Sequence, residues 1–120
     1  MRLLNDFFKV LDTSPTAAGF VATIQLNPGH IVYTGHFPGF PVTPGVIQIQ
    51  IVQELLEQHL GRKLRLSTMP QCKFLKILNP NETQRLVVHI ECREEGEVVH
   101  VKARAEHERD VFFRIWATHT

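Results

Sequence analysis

Apolar residues change their spacing twice along this chain, and the changes mark out its elements. Leu3, Leu4, Phe7, Phe8 and Leu11 recur at helical spacing with Asn5, Asp6 and Lys9 between them, which predicts a short amphipathic helix ending before Pro15. Over residues 18–26, Phe20, Ala22, Ile24 and Leu26 alternate with Val21, Thr23 and Gln25, the period of a strand with one buried face. Asn27-Pro28-Gly29 turns the chain, and residues 31–34 read as a short extended piece.

Helical spacing returns after Thr43 and Pro44, which read as an N-cap followed by proline in the first helical position. Ile49, Ile51, Val52, Leu55, Leu56 and Leu60 cover more than half of the helix circumference, a stripe too broad for a helix resting on one flat surface. Gln50, Gln53, Glu54 and Glu57 form the opposite face, and Gly61 supplies a left-handed C-cap.

From there to the C-terminus the period is that of strands. Leu64 and Leu66 begin one that passes Pro70, where a bend or bulge is expected, and continues through residues 72–78 to the turn Asn79-Pro80-Asn81. Leu86, Val88, Ile90 and Cys92 alternate with Val87, His89 and Glu91; Glu94-Glu95-Gly96 turns; Val99, Val101, Ala103 and Ala105 alternate with His100, Lys102 and Arg104 in a returning strand. A last turn at Arg109-Asp110 leads to Val111, Phe113, Ile115 and Ala117. One long helix and a meander of strands predict an α+β domain over residues 1–120, with a curved antiparallel sheet wrapped around a central helix. A free sheet edge and an exposed strand face favour dimerisation.

Composition narrows the partners. With 43% hydrophobic and 21% charged residues the 120-residue chain reads as one globular domain. Thirteen basic against twelve acidic residues leave a charge of +1, too weak a field to attract nucleic acid. Residues 1–10 mix Arg2, Asp6 and Lys9 among apolar residues, unlike a signal peptide, and no apolar run approaches the roughly 18 residues that span a bilayer. Cys72 and Cys92 show no C-x-x-C spacing and read as small buried hydrophobes. A reduced, cytoplasmic protein is expected. His30, His59, His89, His100, His107 and His119 have no paired ligand spacing, so no metal site is expected.

Candidate chemistry lies in residues 35–46, Gly-His-Phe-Pro-Gly-Phe-Pro-Val-Thr-Pro-Gly-Val. Prolines stiffen this loop and glycines let it turn sharply around His36. It resembles the G-H-F-P-G-x-P-x-x-P-G-V signature of the hot-dog-fold 3-hydroxyacyl-[acyl-carrier-protein] dehydratases, and Lys73-Phe74 through Asn79-Pro80-Asn81-Glu82 is similar to a later strand and turn of that family. The resemblance implies a hot-dog fold and a homodimer with sites at the subunit interface. It also implies conversion of 3-hydroxyacyl thioesters to trans-2-enoyl products in fatty-acid or polyene-type lipid biosynthesis. The substrate would be bound to acyl carrier protein or CoA, no cofactor is needed, and a higher oligomer or hetero-partner is an alternative assembly.

Elementary chemistry agrees at three points. An imidazole, titrating near ~6.5, suits abstraction of the α-proton, which makes His36 the candidate base; its alternative is a histidine hydrogen-bonded into a tight loop. The N–H groups of Gly45 and Val46, at the helix N-terminus, suit the enolate-like charge on the thioester oxygen, and Phe37 would shape the mouth. The departing hydroxyl needs a proton, and the family's acidic residue fourteen positions after the histidine is here Gln50, an amide with no titratable proton. Glu54 stands one helical turn on, so Gln50 and Glu54 together are candidates to replace the acid, against the alternative that they are a solvated polar face. Two other functions stay open: a non-catalytic or weakly active subunit that binds acyl thioesters or pairs with a complete homologue, and an acyl thioesterase. Phe40, Phe74 and Trp116 line an acyl tunnel or fill core. Arg62, Lys63 and Arg65 would attract an acidic carrier or simply favour the helix dipole.

Overall fold

The computed structural model describes residues 2–34 and 41–120. Six strands form one antiparallel sheet: β1 (Phe8–Pro15), β2 (Gly19–Leu26), β3 (Leu66–Phe74), β4 (Arg85–Glu95), β5 (Val98–His107) and β6 (Asp110–His119), in the spatial order β1-β2-β4-β5-β6-β3. Among the described residues one α-helix, α1 (Gly45–Leu60), lies between β2 and β3 in sequence. Alternation does what it predicts: Ala22, Ile24, Val88, Ile90, Val101, Ala103, Ile115 and Ala117 are buried in one cluster with Ile51, Val52, Leu55 and Leu56 of α1. The sheet therefore lays one face on the helix and turns the other outward.

Pro70 marks the expected irregularity, since the β3–β6 register shifts between Thr68 and Gln71. A proline has no N–H for the ladder, and a bulge removes the need for one. The strand ends at Phe74 rather than reaching Leu78. Beyond it the Leu75 N–H donates to the Phe112 carbonyl, and the Leu78 carbonyl accepts from the Thr43 N–H at 2.9 Å.

The N-terminal helix does not form. Asn5 takes a left-handed φ of 68°, and the Leu3 carbonyl accepts from the N–H groups of Asp6 and Phe7 at 3.0 and 2.7 Å. This tight turn drops Leu3 and Phe7 into the core. From Phe8 onward the chain takes its hydrogen bonds from β2, with Phe8 opposite Leu26, a source that helical spacing cannot reveal. Residues 31–34 differ as well: Ile31–Tyr33 is a 3₁₀ turn capped by the His30 side chain, which accepts from the Val32 N–H.

α1 begins one residue later than expected, with Pro44 as its N-cap and no side-chain cap. Thr43 is buried and employed elsewhere, its hydroxyl bonded to Tyr33 at 2.8 Å. The helix closes as predicted at Gly61, φ 70°. Its polar face is only partly left to solvent, with Glu54 buried and Gln50, Gln53 and Glu57 half-buried. Gln53 Nε2 donates to the Leu64 carbonyl at 2.9 Å, and the Leu64 N–H donates to Glu57 at 2.8 Å, so both side chains clamp the segment that leads into β3.

Candidate active site

The segment that carries His36 and Phe37 lies outside the described residues, and so does Phe40; the structure defines its anchors. Tyr33 on one side and Thr43 on the other share a buried hydroxyl–hydroxyl bond. Burial pushes the Tyr33 phenol up to about 12, against a smaller lowering by Thr43, so it stays neutral and the bond persists at ordinary pH. Thr43 is further held by the Leu78 carbonyl through its N–H and by Gln48 Nε2 on its carbonyl, at 3.0 Å. Both ends of the loop are thus fixed beside the N-terminus of α1.

At that N-terminus the Pro44 carbonyl accepts from the N–H groups of Ile47 and Gln48, at 3.1 and 3.2 Å. The N–H groups of Gly45 and Val46 have no acceptor among the described residues, as the geometry of a helix start dictates. They are donors at the positive end of a sixteen-residue helix. The Phe74 ring rests against Gly45: a Cβ at Gly45 would stand 2.7 Å from two of its ring carbons. Only glycine permits that approach. Gly45, Gln48, Phe74, Leu75 and Ile77 line a cavity of about 330 Å³.

Gln50 and Glu54 are brought together. Gln50 Nε2 donates to Glu54 Oε2 at 2.9 Å. The Glu54 carboxylate, 1% exposed, also accepts from the Leu3 N–H at 2.9 and 3.0 Å and from the Leu4 N–H at 2.7 Å, with Arg2 Nε 3.9 Å away. It therefore ties the N-terminal turn to the middle of α1 while it orients Gln50. Gln48 went unremarked among the candidate residues, and its signal was available: it is the lone polar residue between Ile47 and Ile49.

Among the described residues no group of three His, Cys, Asp or Glu side chains gathers as a metal site, and no helix is long and apolar enough to cross a membrane. His30 pairs with Asp6 at 3.0 Å and His89 with Glu106 at 2.7 Å. Cys72 and Cys92 are half-buried free thiols that burial pushes up in pKa, which makes them poor nucleophiles. Arg62 is drawn to Glu94 at 3.5 Å.

Residues 12–113 match the family model described as ApeI-like, ApeI dehydratase. The chain belongs to the ApeI-like dehydratase family. It is 29% identical over 95 residues to the 3-hydroxyacyl-[acyl-carrier-protein] dehydratase FabZ of Clostridium acetobutylicum, covering 73% of this chain and 65% of that protein. Other FabZ relatives are matched over about half of their length. Among solved structures, the dehydratase heterocomplex ApeI:P from Xenorhabdus doucetiae superposes with a TM-score of 0.72 at 20% identity, covering 92% of this chain and 95% of that one. An uncharacterised protein from Erwinia carotovora subsp. atroseptica gives 0.69 at 17% identity, covering 92% and 91%. The fold of this family member is the hot-dog fold, a helix packed against a six-stranded antiparallel sheet.

Proposed function

We propose that the protein removes water from 3-hydroxyacyl thioesters carried by acyl carrier protein or CoA, giving trans-2-enoyl thioesters. The observation that carries this reading is the pair of N–H donors at Gly45 and Val46, which have no acceptor among the described residues and follow His36 by nine and ten positions in the sequence. His36 takes the proton from the α-carbon. The electron pair moves into the forming double bond through an enolate-like state whose oxygen Gly45 and Val46 hold, and the C–O bond at the third carbon breaks. Gln50 orients the departing hydroxyl, and Glu54, bonded to Gln50, is the nearest carboxyl to complete the water through a bridging solvent molecule. Without a positioned acid such a step loses on the order of 10²–10⁴ in rate.

Assembly as a dimer is supported by two features at one place. β3 is an edge of the sheet, with one row of backbone groups unpaired, and beside it Val46, Phe74, Leu75 and Ile77 expose apolar surface.

A second reading is favoured by one observation: Gln50 has no proton to give, and Glu54 is already engaged by the Leu3 and Leu4 amides. On this reading the chain pairs with a homologue that supplies the acid, an arrangement in keeping with the ApeI:P heterocomplex. Both readings are tested by incubating the purified protein with a 3-hydroxyacyl thioester and following enoyl absorbance and free thiol together. Enoyl formation lost in His36→Ala supports dehydration by this chain. Enoyl formation only after a homologous subunit is added supports the second reading, and thiol release without enoyl excludes both.

A further inference from the structure

The imidazole of His30 holds a place that Asn, Asp, Ser or Thr ordinarily takes at the start of a helical turn. Its Nδ1 accepts from the Val32 N–H at 3.0 Å, and this bond caps the 3₁₀ turn Ile31–Tyr33. On the other side of the ring Nε2 lies 3.0 Å from Asp6 Oδ2. The two bonds fix the tautomer: a donor at Val32 requires a bare Nδ1, so the proton of the neutral ring is on Nε2 and is donated to the Asp6 carboxylate. The ring is 8% exposed, and Phe7 meets it edge-on with 5.1 Å between ring centres. Phe7 also packs on Tyr33 at 5.4 Å, whose hydroxyl bonds Thr43 at 2.8 Å. Through Phe7 and through the turn it caps, His30 therefore supports the Tyr33–Thr43 anchor.

A second proton undoes the cap. Imidazolium has two N–H donors and no acceptor, so turning the ring over restores nothing, and the new Nδ1–H would face the Val32 N–H across 3.0 Å. Among the described residues Asp6 is the one charged group within ion-pair distance of the ring. It favours the cation, but it is 69% exposed, and a pair so open to water contributes little. Lys9, which lines the same surface hollow as Asp6, weighs the other way. Tyr33, held neutral by burial, brings no compensating charge.

We propose that His30 is a positioning residue that works as a proton-sensitive latch: neutral, it caps the turn and holds Tyr33 on Thr43; protonated, it releases Val32 and loosens that anchor. Histidine is the side chain that changes charge between about pH 5 and 8, whereas the side chains that ordinarily cap such a turn do not respond there. For the dehydration proposed above, mild acid then costs the site its anchor as well as its base. That consequence rests on the dehydratase reading; the latch itself needs no turnover.

The test follows three NMR signals as the pH is lowered from about 8 to 5, the histidine range: the ring nitrogens of His30, the backbone amide of Val32 and the ring of Tyr33. At the upper end Nδ1 is expected to show the shift of a bare nitrogen and Nε2 that of a protonated one. As the ring titrates, the Val32 amide proton moves upfield, as loss of an acceptor requires, and the Tyr33 ring follows on the same curve. His30→Asn, whose side-chain oxygen accepts from the N–H two residues on and does not titrate, is expected to keep the Val32 amide at its high-pH position throughout. His30→Phe, with no acceptor, is expected to leave it at the low-pH position throughout. A proton on Nδ1 at the upper end, a Val32 amide or Tyr33 ring that stays still while His30 titrates, or a Val32 amide that moves in His30→Asn as in wild type overturns the proposal. Should His30→Phe not fold, wild type and His30→Asn decide among these outcomes. A protein that shows the latch yet forms no enoyl product leaves it standing and removes only the dehydratase reading.

Discussion

The side-chain amide of Gln50 donates to the carboxylate of Glu54 at 2.9 Å, and the same carboxylate receives the backbone N–H groups of Leu3 and Leu4. One side chain thus orients a candidate active-site residue and anchors the N-terminal turn. Glu54→Gln removes charge-assisted acceptors from buried donors, each worth roughly 1.5–3 kcal/mol. A drop in unfolding free energy of about 2 kcal/mol is expected, with faster hydrogen exchange at Leu3 and Leu4. If Glu54 also supplies the proton, enoyl formation falls by about 10² or more under conditions where the variant is still folded; an unchanged rate removes Glu54 from the chemistry.

Gln50→Glu sets a second carboxyl against Glu54 at the same hydrogen-bonding distance. Two carboxylates so close cannot both ionise readily, so one is held protonated toward neutral pH. The variant is expected to gain about tenfold or more in kcat, with a new alkaline limb in its pH–rate profile as that proton is lost. No gain in rate means that the acid function lies on another chain or another residue.

Gly45 touches Phe74, and a methyl group at Gly45 would meet the ring at 2.7 Å. Gly45→Ala is expected to lower kcat/KM by about 10–10², because the added carbon crowds the donors that hold the developing charge. The ring can move outward, so the loss in stability stays below about 1.5 kcal/mol. Adding Phe74→Ala restores the melting temperature of the Gly45→Ala protein but not its rate. Recovery of both indicates that crowding by the ring, and not access to the N–H groups, limits the reaction.

On the outward face of the sheet Arg114 stands directly opposite Arg104 on β5 and Lys73 on β3. Like charges at opposed cross-strand positions destabilise, and opposite charges contribute roughly 0.2–1 kcal/mol per pair. Arg114→Glu converts both pairs at once. Its melting temperature is expected to rise by about 2–4 °C at low ionic strength, and the gain shrinks in 1 M salt as screening sets in. A melting temperature that falls shows that Arg114 has a favourable role on this face.

His119 is 1% exposed, and neither ring nitrogen has a partner among the described residues. Burial holds its pKa below the ordinary histidine value, with Glu57 opposing that shift. The unfolded chain therefore binds this proton more readily than the folded one. The stability linked to His119 is complete above the unfolded value of ~6.5 and is lost as pH falls through the folded value. Unfolding free energy measured from pH 7.5 to 5 should fall less steeply in His119→Leu than in wild type; parallel curves would mean that the folded protein accommodates the imidazolium.

Much of the fold was legible because its signals are periodic and local. α1 was visible in the breadth of its apolar stripe and in Gly61 at its end. β2 and β4 to β6 were visible in strict alternation, and the β3 irregularity in Pro70. What escaped was decided at a distance. Leu3, Phe7 and Phe8 have helical spacing, but a turn at Asn5 buries all three, and β2 supplies the backbone partners that make residues 8–15 a strand. The candidate site was legible as residue types. Its supporting bonds, from Gln48 to Thr43 and from Thr43 to Tyr33, were not, since the hydroxyls and amides involved are common and their pairing depends on where the loop ends meet.

Residues 43–61 determined by themselves that a helix starts near Pro44 and stops at Gly61, with a candidate histidine a few positions before it in the sequence, because proline, glycine and 3.6-residue spacing constrain the backbone locally. Only the tertiary structure decided what surrounds that helix. A helical wheel gives the direction in which Gln53, Glu54 and Glu57 project, not what they meet. The polar face that could have been wholly solvated is instead bonded to Leu64 and to the Leu3 amide, 51 residues from Glu54. Buried carboxylates and amides need partners wherever the chain can bring them, and it is the packing of the N-terminal turn against α1 that brings these.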